Sequence, residues 1–475
     1  MSIINNFVNA VKGLWWKMIG NSEIKKIFAV EPVISEEMRT AIQRWSAIYG
    51  DSAEWLSDTV RSLHLGSTLP REIARSVTIE LQTDFNNTAR AKWLESQFKQ
   101  VMSHLRDDVE YALAGGGFVW KPYLDGDTLA IDRVQADAIY PIKFAPSGEM
   151  NAVLFQYQQS VNGKFYTRLE YHDASTGTYT IKNLFYRSDS RDSLGNPINI
   201  LNVPVEEWKT LEAEATIEGA PWLLMSYMKA PGANPVDPAS PLGVSVFSRA
   251  ENLIQNADEQ YGLTMWEYQT GKRRMFFDEQ ALYRENGTTE FTADLNKGVY
   301  VALKGTGNIG NNTLITEHNP IMRDANFWMG LNSIKRQIEF ACGVAYGTIS
   351  DTSVEARTAT EIAMQKQRSY STIKDIQNAL EASMRRLLDV MNWWASANNL
   401  APNADYAVEF DFDDSIITDI AAERVQWLEE LAQGLRSKAE YRQHFYGESP
   451  EAAATALAAI ESTAPNLAGL LGQSA

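Results

Sequence analysis

The stretch "RTATEIAMQKQRSYSTIKDIQNALEASMRRLLDVMNWWASANNL" runs from Arg357 to Leu400 without a glycine or a proline. A helix over residues 358–400, at about 1.5 Å per residue, is on the order of 60 Å long. Thr358 followed by Glu361 matches a capping box, which predicts the start of the helix. Apolar residues recur at helical spacing only in its second part, at Ile373, Ile376, Leu380, Met384, Leu387, Met391 and Trp394.

The first part of this helix is polar and has no stripe that could face a core. Most helical stability in proteins comes from packing of an apolar face, so a polar helix frays when it is alone in water. We expect the polar part to be stable if neighbouring copies pack around it, or if it faces a water-filled space.

Composition places the chain among ordinary globular proteins. It has 475 residues, of which 44% are hydrophobic and 22% are charged. No apolar run reaches the length of about 18 residues that a transmembrane helix needs, and Met1–Ala10 lacks the basic region and cleavage site of a secretory signal. Cys342 is the only cysteine, which excludes an intrachain disulfide and a cysteine metal cluster and suits a reducing cytoplasm.

The charge is strongly acidic, with a formal net value of −17. A protein that grips nucleic acid normally offers a basic face, so this sign argues against tight DNA binding. From Asp405 to the end there are 13 acidic and 4 basic residues, a net charge of 4 − 13 = −9. This last stretch is either a solvated acidic domain or a surface that repels polyanions.

The first half of the chain predicts helices followed by antiparallel strands. Helical patterns cover Ser35–Tyr49, Leu69–Gln82 and Thr88–Ala114. Short strands follow from residue 118 to residue 203, with turns that include Asn162-Gly163. The glycines after Ala114 do not form a phosphate loop, because such a loop follows a strand and opens a helix. Gly115 is predicted to cap the preceding helix.

The amino-terminal stretch "NNFVNAVKGLWWKMIG", residues 5–20, also has helical spacing. It is predicted to be an arm that packs on its own protein or on a neighbour. The alternative is a helix at a membrane surface, although Lys12 and Lys17 are the only basic residues for its polar face.

The second half predicts two helices separated by a small β region. The first helix carries an apolar face from Phe247 to Met265, and strand patterns occupy residues 275–317. The sequence "GTGNIG" at 305–310 is not followed by a helix, so a dinucleotide site is not predicted. The second helix is predicted to begin at Asn319 as N-cap and Pro320 as first residue. Its seam has coiled-coil spacing and consists of Phe327, Leu331, Ile334 and Ile338.

No residues form a recognisable catalytic or cofactor-binding set. The chain has no G-K-[ST] after a glycine loop and no G-x-S-x-G, and its histidines are scattered singly. Asp411, Asp413 and Asp414 could together hold a divalent cation, although an acidic strand edge followed by a helix cap is the favoured interpretation. We therefore predict no catalytic residue, no metal, no cofactor and no enzymatic activity.

The order of elements and several local strings resemble the portal proteins of tailed bacteriophages, in particular those of long-tailed siphophages. The strings are "IQRWSAIYGDSAEW" (42–55), "YPIKFAPSGEM" (140–150), "ENLIQNADEQYGLTMWEYQTGKRRMF" (251–276), "TATEI" (358–362) and "DFDDSIITD" (411–419). Their order extends over nearly the whole chain, and the region 150–210 matches least.

This resemblance implies an α+β, portal-like fold with four regions. A helical and β wing would comprise residues 1–243 and 343–415, and a two-helix stem would comprise 244–270 and 318–342. The small β clip would be 271–317 and the α-helical crown 416–475. Within the wing, the resemblance implies a tunnel loop at 344–357 and the long helix at 358–400.

The resemblance also implies a function and a set of partners. Portal proteins form a dodecameric ring at one capsid vertex of the virion, after assembly in the host cytoplasm. The ring is the channel for DNA packaging and ejection, without sequence specificity, and it does not involve a membrane. It docks terminase and the head–tail adaptor, and it contacts the major capsid and scaffolding proteins.

Three groups of site residues follow for this chain. The tunnel loop and DNA channel would use Gly347, Asp351, Ser353, Glu355 and Arg357. Partner docking at the clip would use Lys272, Arg273 and Arg274. The oligomer seam of the stem would use Phe327, Leu331, Ile334 and Ile338. The alternatives are another virion or head-morphogenesis protein without a DNA channel, a metal-dependent nucleic-acid enzyme that uses the three aspartates, and a membrane-surface module.

Overall fold

The computed structural model describes residues 19–79, 81–175, 177–271, 274–278, 300–303, 315–319, 321–351, 359–412 and 420–463. The chain divides into two compact units, Met1–Phe412 and Asp413–Ala475. Both helices and sheets are present, which confirms the mixed α and β content predicted from the sequence. In the described part of the chain, no helix is both long and apolar enough to cross a membrane. The amino-terminal stretch 1–18 lies outside the described residues.

Four helices lead into the β region: α1 (Asn21–Phe28), α2 (Glu36–Tyr49), α3 (Leu65–Val77) and α4 (Ala89–Gly115). The Ser35 and Thr88 side chains cap α2 and α4 by accepting hydrogen bonds from backbone N–H groups. These two helices confirm the predicted bounds. The predicted helix Leu69–Gln82 is wrong at both ends, because its last residue instead begins strand β1 (Gln82–Phe85). The cap after α4 is Gly116, with φ of 90°, and not Gly115.

The β region forms two antiparallel sheets. The smaller one orders its strands β10–β2–β3, and the larger one orders them β4–β5–β6–β7–β8, with β9 also paired to β7. The strands are β2 (Gly117–Asp125), β3 (Thr128–Gln135), β4 (Ile139–Phe144), β5 (Met150–Val161), β6 (Lys164–Asp173), β7 (Tyr179–Ser188), β8 (Asn196–Ile198), β9 (Glu214–Ile217) and β10 (Ser226–Lys229). A short helix, α5 (Glu206–Lys209), lies between β8 and β9.

The predicted turn at Asn162-Gly163 is confirmed between β5 and β6. Both residues have positive φ, 52° and 73°, as a tight hairpin turn of this kind requires. The turn fixes a register in which Val161 lies opposite Lys164, and the pairing continues to Ala152 opposite Asp173.

A buried ionic cluster connects the two sheets. Lys121 of β2 donates to a Glu170 carboxylate oxygen at 2.6 Å, and Arg168 contacts the same oxygen at 2.7 Å. Lys121 also lies 3.1 Å from Asp132 of β3. Although burial alone would raise it, the pKa of Glu170 is held well below its usual range by the adjacent Arg168 and Lys121. The Glu170 carboxylate is therefore the shared partner of two buried cations.

Glu170→Ala is expected to lower the free energy of unfolding by about 3–5 kcal/mol, because Lys121 and Arg168 would then remain buried without their common partner. Urea denaturation followed by circular dichroism measures this loss. The exposed Glu214, which pairs with Lys182 at 3.2 Å, provides the control, since Glu214→Ala should change stability by no more than about 1 kcal/mol. Equal losses in the two variants would contradict the assignment.

Three long helices follow the β region: α6 (Glu251–Thr270), α7 (Asp324–Cys342) and α8 (Ala359–Ala397). The small sheet between α6 and α7 consists of β11 (Arg274–Asp278), β12 (Tyr300–Leu303) and β13 (Ile315–His318). In it, β11 pairs parallel with β12 and antiparallel with β13. Strands in this region confirm the sequence prediction, while the sequence "GTGNIG" at 305–310 lies outside the described residues.

The starts of α6 and α7 differ from the sequence predictions. Residues 246–250 form turns, so α6 begins at Glu251, although Phe247 and Ala250 are buried as the apolar spacing predicted. Asn319 is not the cap of α7, because the preceding segment is held outside the helix. Arg323 there pairs with Glu267 of α6 at 2.9 Å, and α7 begins at the next residue.

Helix α6 is bonded to the amino-terminal helical region by two carboxylates. Glu251 accepts hydrogen bonds from Arg44 and from the Trp45 indole, both at 2.5 Å. Two turns later, Asp258 accepts from the Trp55 indole at 3.0 Å. These bonds fix the first half of α6 on the rest of its unit.

Helix α8 confirms the long helix and the burial of its apolar stripe from Ile373 onward. Leu380, Met384 and Leu387 are fully buried, and the Ser226 hydroxyl of β10 donates to the Ser383 carbonyl at 2.6 Å. After α8, strand β14 (Val408–Asp411) pairs antiparallel with β1. The second half of α8 is thus part of the core of its unit.

The second unit contains α9 (Ile420–Ala432), α10 (Lys438–Tyr446) and α11 (Pro450–Thr463). Within it, Trp427 stacks on His444 with ring centroids 4.4 Å apart, and a capping box at Ser437 starts α10. Asp411 ends strand β14, whereas Asp413 and Asp414 lie outside the described residues. Over the residues described, no group of three or more His, Cys, Asp or Glu side chains could hold a metal ion.

Candidate functional site: the loop between two long helices

The segment after α7 turns sharply and is tied to α8. Gly343 caps α7 with φ of 74°, a conformation that favours glycine. Its carbonyl accepts a hydrogen bond from the Thr372 hydroxyl at 2.7 Å, and the Ala345 backbone N–H donates to the Ser369 hydroxyl at 2.7 Å. Thr372 and Ser369 both belong to α8, so these two bonds hold the two long helices together.

The segment 347–350 wraps around one buried carboxylate. Glu339 of α7 is fully buried. Its Oε1 accepts hydrogen bonds from the backbone N–H groups of Gly347 at 3.0 Å, Ile349 at 2.7 Å and Ser350 at 2.9 Å. Its Oε2 accepts from the Ser350 hydroxyl at 2.7 Å. Because these donors all come from the short segment 347–350, the carboxylate sets the path of the loop backbone.

A second pair of bonds holds the loop one step further along. The Asn332 side-chain carbonyl accepts from the Asp351 backbone N–H at 2.7 Å, and its amide donates to the Asp351 carbonyl at 3.1 Å. Asn332 lies two turns before Glu339 on α7. The loop from Gly347 to Asp351 therefore runs back along α7 and does not project from its end.

Cys342 lies beside this carboxylate, and its thiol has low reactivity. Burial, together with the negative charge of Glu339, raises the pKa of the Cys342 thiol to about 12. The thiolate is the nucleophilic form of cysteine, so this side chain is a poor target for thiol reagents at neutral pH.

The predicted tunnel-loop residues divide between described and undescribed positions. Gly347 is exposed with φ of 97°, and Asp351 is exposed at the end of the described loop. Ser353, Glu355 and Arg357 lie outside the described residues. The polar start of α8 contributes Arg368, whose guanidinium lies 3.9 Å from the Phe340 ring centroid. Sequence reasoning missed Glu339 and Asn332, because a polar residue on a helix gives no sign of which loop it will hold.

The predicted oligomer seam divides between buried and half-buried positions. Helices α6 and α7 pack antiparallel in the same chain, and the Trp328 indole donates to the Tyr268 hydroxyl at 2.9 Å. Leu331 and Ile338 are 1% and 0% exposed within the single chain, so both side chains already pack inside the subunit. Coiled-coil spacing indicates that a helix packs along this face, but it does not indicate whether that helix belongs to the same chain or to another subunit. Phe327 and Ile334 are half-buried.

Other apolar side chains of this helix pair remain exposed. Trp266 and Leu263 of α6 are 55% and 52% exposed, and Met329 and Phe340 of α7 are 67% and 56% exposed. We call these four residues the stem patch. These four residues were not predicted from the sequence, because they lie beside the regular seam and their spacing forms no repeat.

The predicted docking residues of the clip are described only in their backbone or lie outside the described residues. Lys272 and Arg273 lie outside them. Arg274 begins β11, where its backbone lies opposite His318 of β13.

Comparison with known proteins assigns the family. A family description, "Phage portal protein, SPP1 Gp6-like", matches residues 73–465, which is most of the chain. This chain belongs to the SPP1 Gp6-like family of phage portal proteins. The family resemblance drawn from the sequence is therefore confirmed. Phage portal proteins are structural components of the head–tail connection and not enzymes.

A chain in "Neck of native GTA particle computed with C12 symmetry" is similar to this portal-family chain at 12% sequence identity, with a TM-score of 0.44. The alignment covers 89% of this chain and 97% of that chain. No protein with a curated description matches significantly.

Proposed function

We propose that this chain is the subunit of a dodecameric portal ring at one vertex of a phage capsid, a channel through which DNA is packaged and ejected. Family membership supports the portal role. The observation that carries the channel is the loop 344–351, which ends in the exposed Asp351 and is held between two long helices. In this proposal the loop continues to residue 357 as the tunnel loop, which faces the DNA.

The acidic charge fits a channel through which DNA slides. Lys and Arg contacts to phosphates release counterions and bind DNA tightly, which would stall a moving duplex. Twelve copies at −17 each would carry on the order of two hundred negative charges. A ring of Asp351 and Glu355 side chains would repel the duplex at its closest approach and keep it moving.

The polar start of α8 has a place in this ring. Residues 359–372 precede the buried stripe that begins at Ile373, and Ser369 and Thr372 already bond the turn after α7. A helix that extends radially would have its polar start near the water-filled channel and its apolar end inside the subunit core. This placement accounts for a long helix with only one core-facing part.

The stem patch is proposed as the contact between neighbouring subunits. Its four side chains are large, apolar and more than half exposed in the isolated chain. Burial of apolar area is favourable by about 25 cal/mol per Å², and a closed ring repeats the contact at every subunit. The patch replaces Leu331 and Ile338 as the proposed seam.

The four regions of a portal can be assigned to the observed elements. The wing would contain α1–α5, β1–β10, α8 and β14, and α6 with α7 would form the stem. The sheet of β11, β12 and β13 would be the clip, and α9–α11 would be the crown. In this assignment the wing would contact the major capsid and scaffolding proteins, and the clip would dock terminase and then the head–tail adaptor.

The clip basic cluster gives a test of docking. Changing Lys272, Arg273 and Arg274 to Ser should leave ring formation intact and weaken binding of terminase or the adaptor, because acidic groups of the partner would lose their counter-charges. The effect should be largest at low salt, where screening is weakest. Pull-downs of both partners at low and high salt measure it. Unchanged binding at low salt would contradict the docking role.

A cross-linking experiment tests the channel itself. Because Cys342 is the only cysteine and is buried with a raised pKa, Asp351→Cys would introduce the one reactive thiol. A photoreactive cross-linker on that thiol, activated during packaging, should attach to DNA. The exposed Leu201→Cys, 82% exposed and in the proposed wing, is the control and should not. Equal cross-linking at the two positions, or none at Asp351→Cys, would refute the channel assignment.

A further inference from the structure

The buried Glu339 side chain has a structural role in the loop that the proposed channel does not by itself require. Its carboxylate is fully buried, and no salt bridge joins it to a cation among the residues that the structure describes. A carboxylate in that position is costly unless its oxygens are satisfied by hydrogen bonds. The donors that satisfy it are three backbone N–H groups and one hydroxyl, and all of them belong to residues 347–350.

This arrangement has two consequences for the loop. First, hydrogen bonds to a charged acceptor are about twice as strong as neutral ones, so the backbone at 347–350 is held firmly on α7. Second, backbone N–H groups of neighbouring residues that converge on one point form a concavity that binds anions such as phosphate. Glu339 already fills that concavity, so these donors are not offered to a DNA phosphate.

Asn332 extends the same hold to the last described loop residue. Its side chain accepts a hydrogen bond from the Asp351 backbone N–H at 2.7 Å and donates one to the Asp351 carbonyl at 3.1 Å. Glu339 and Asn332 both belong to α7, so the loop root from Gly347 to Asp351 moves with that helix as one body.

We propose that Glu339 and Asn332 are positioning residues that fix the root of the tunnel loop on α7, set where the acidic Asp351 side chain stands, and occupy backbone donors that would otherwise hold DNA phosphates. The role in DNA passage rests on the proposed channel function, whereas the fixed root does not. Glu339→Gln keeps the size of the side chain and removes its charge. It should therefore loosen the root without emptying the site.

Hydrogen exchange on the assembled full-length protein tests the fixed root without DNA. In Glu339→Gln, a peptide covering residues 344–351 should exchange about tenfold faster than in the wild type, because three N–H groups lose a charged acceptor. Glu259→Gln, at an exposed glutamate of the neighbouring helix α6, is the matched control and should exchange as the wild type does. Equal exchange in the two variants would overturn the proposal.

A second variant covers the case in which Glu339→Gln fails to assemble. Asn332→Ala removes two bonds at a half-buried position and should raise exchange at Asp351 in intact rings. Unchanged exchange there would also overturn the fixed root.

DNA packaging by the same variants then separates this proposal from the channel function. We expect Glu339→Gln rings to package DNA more slowly than Glu259→Gln rings of equal thermal stability. Faster exchange with normal packaging would support the fixed root and contradict the placement of the loop against DNA. Slower packaging without faster exchange would contradict positioning by Glu339.

Discussion

Replacing both Asp351 and Glu355 by lysine is expected to stop or strongly slow DNA packaging while rings still assemble and join capsids. Each substitution turns a negative charge into a positive one at the proposed closest approach to DNA. Twelve copies would present a basic ring to the duplex, and basic side chains bind phosphates with release of counterions. We expect the packaging rate to fall by about tenfold or more at low salt, with partial recovery at higher salt.

The structure supports the expectation that this variant still folds. Asp351 is exposed, and its contacts to Asn332 use its backbone N–H and carbonyl, which lysine retains. Substitutions at exposed loop positions usually change stability by less than about 0.5 kcal/mol. The control is Asp351→Asn with Glu355→Gln, which removes the charge without reversing it and should package faster than the lysine variant.

A DNA-packaging assay with purified heads, run at two salt concentrations, measures the effect. Wild-type packaging rates for the lysine variant at low salt would show that this segment does not meet DNA. Salt-independent loss of packaging would point to a broken loop and not to phosphate binding.

Leu331→Asp and Met329→Asp, two residues apart on α7, are expected to have different effects. The first should prevent folding, and the second should prevent ring assembly. Leu331 is 1% exposed in the single chain, so Leu331→Asp buries a charge without a partner between α6 and α7. We expect a loss of about 4 kcal/mol or more of unfolding free energy, and no folded subunit from which rings could form.

Met329 is 67% exposed in the same helix, so Met329→Asp should leave the subunit folded. If the stem patch is the contact between subunits, the new charge would be buried only on assembly, and rings should break down to monomers. Native mass spectrometry together with thermal unfolding measures both variants. Intact rings in Met329→Asp would remove the stem patch from the interface, and a stable fold in Leu331→Asp would contradict the packing of α6 on α7.

The sequence predicted the elements whose signals are local. The capping serine and threonine at Ser35 and Thr88, the Asn162-Gly163 turn and the buried stripe of α8 from Ile373 onward all appeared where periodicity and turn chemistry placed them. Each of these features depends on residues that are close together in the chain, so a short stretch of sequence is enough to predict it.

The features that the sequence did not predict depend on contacts between distant residues. The start of α7 is set by Arg323 pairing with Glu267, 56 residues earlier. Leu331 is already buried within the single chain, in which α6 packs on α7. The path of the loop 347–351 is set by Glu339 and Asn332, which reach their loop partners only because Gly343 turns the chain. Periodicity identifies a face that packs, but the identity of its partner requires the fold.

A cryo-electron microscopy reconstruction of the purified, assembled protein tests the central claim most directly. We predict a closed ring of twelve subunits around an open channel, with Asp351 facing the channel and the stem patch buried between neighbours. A monomer, an open filament, or a ring in which Asp351 lies on the outer surface would contradict a DNA channel lined by this loop.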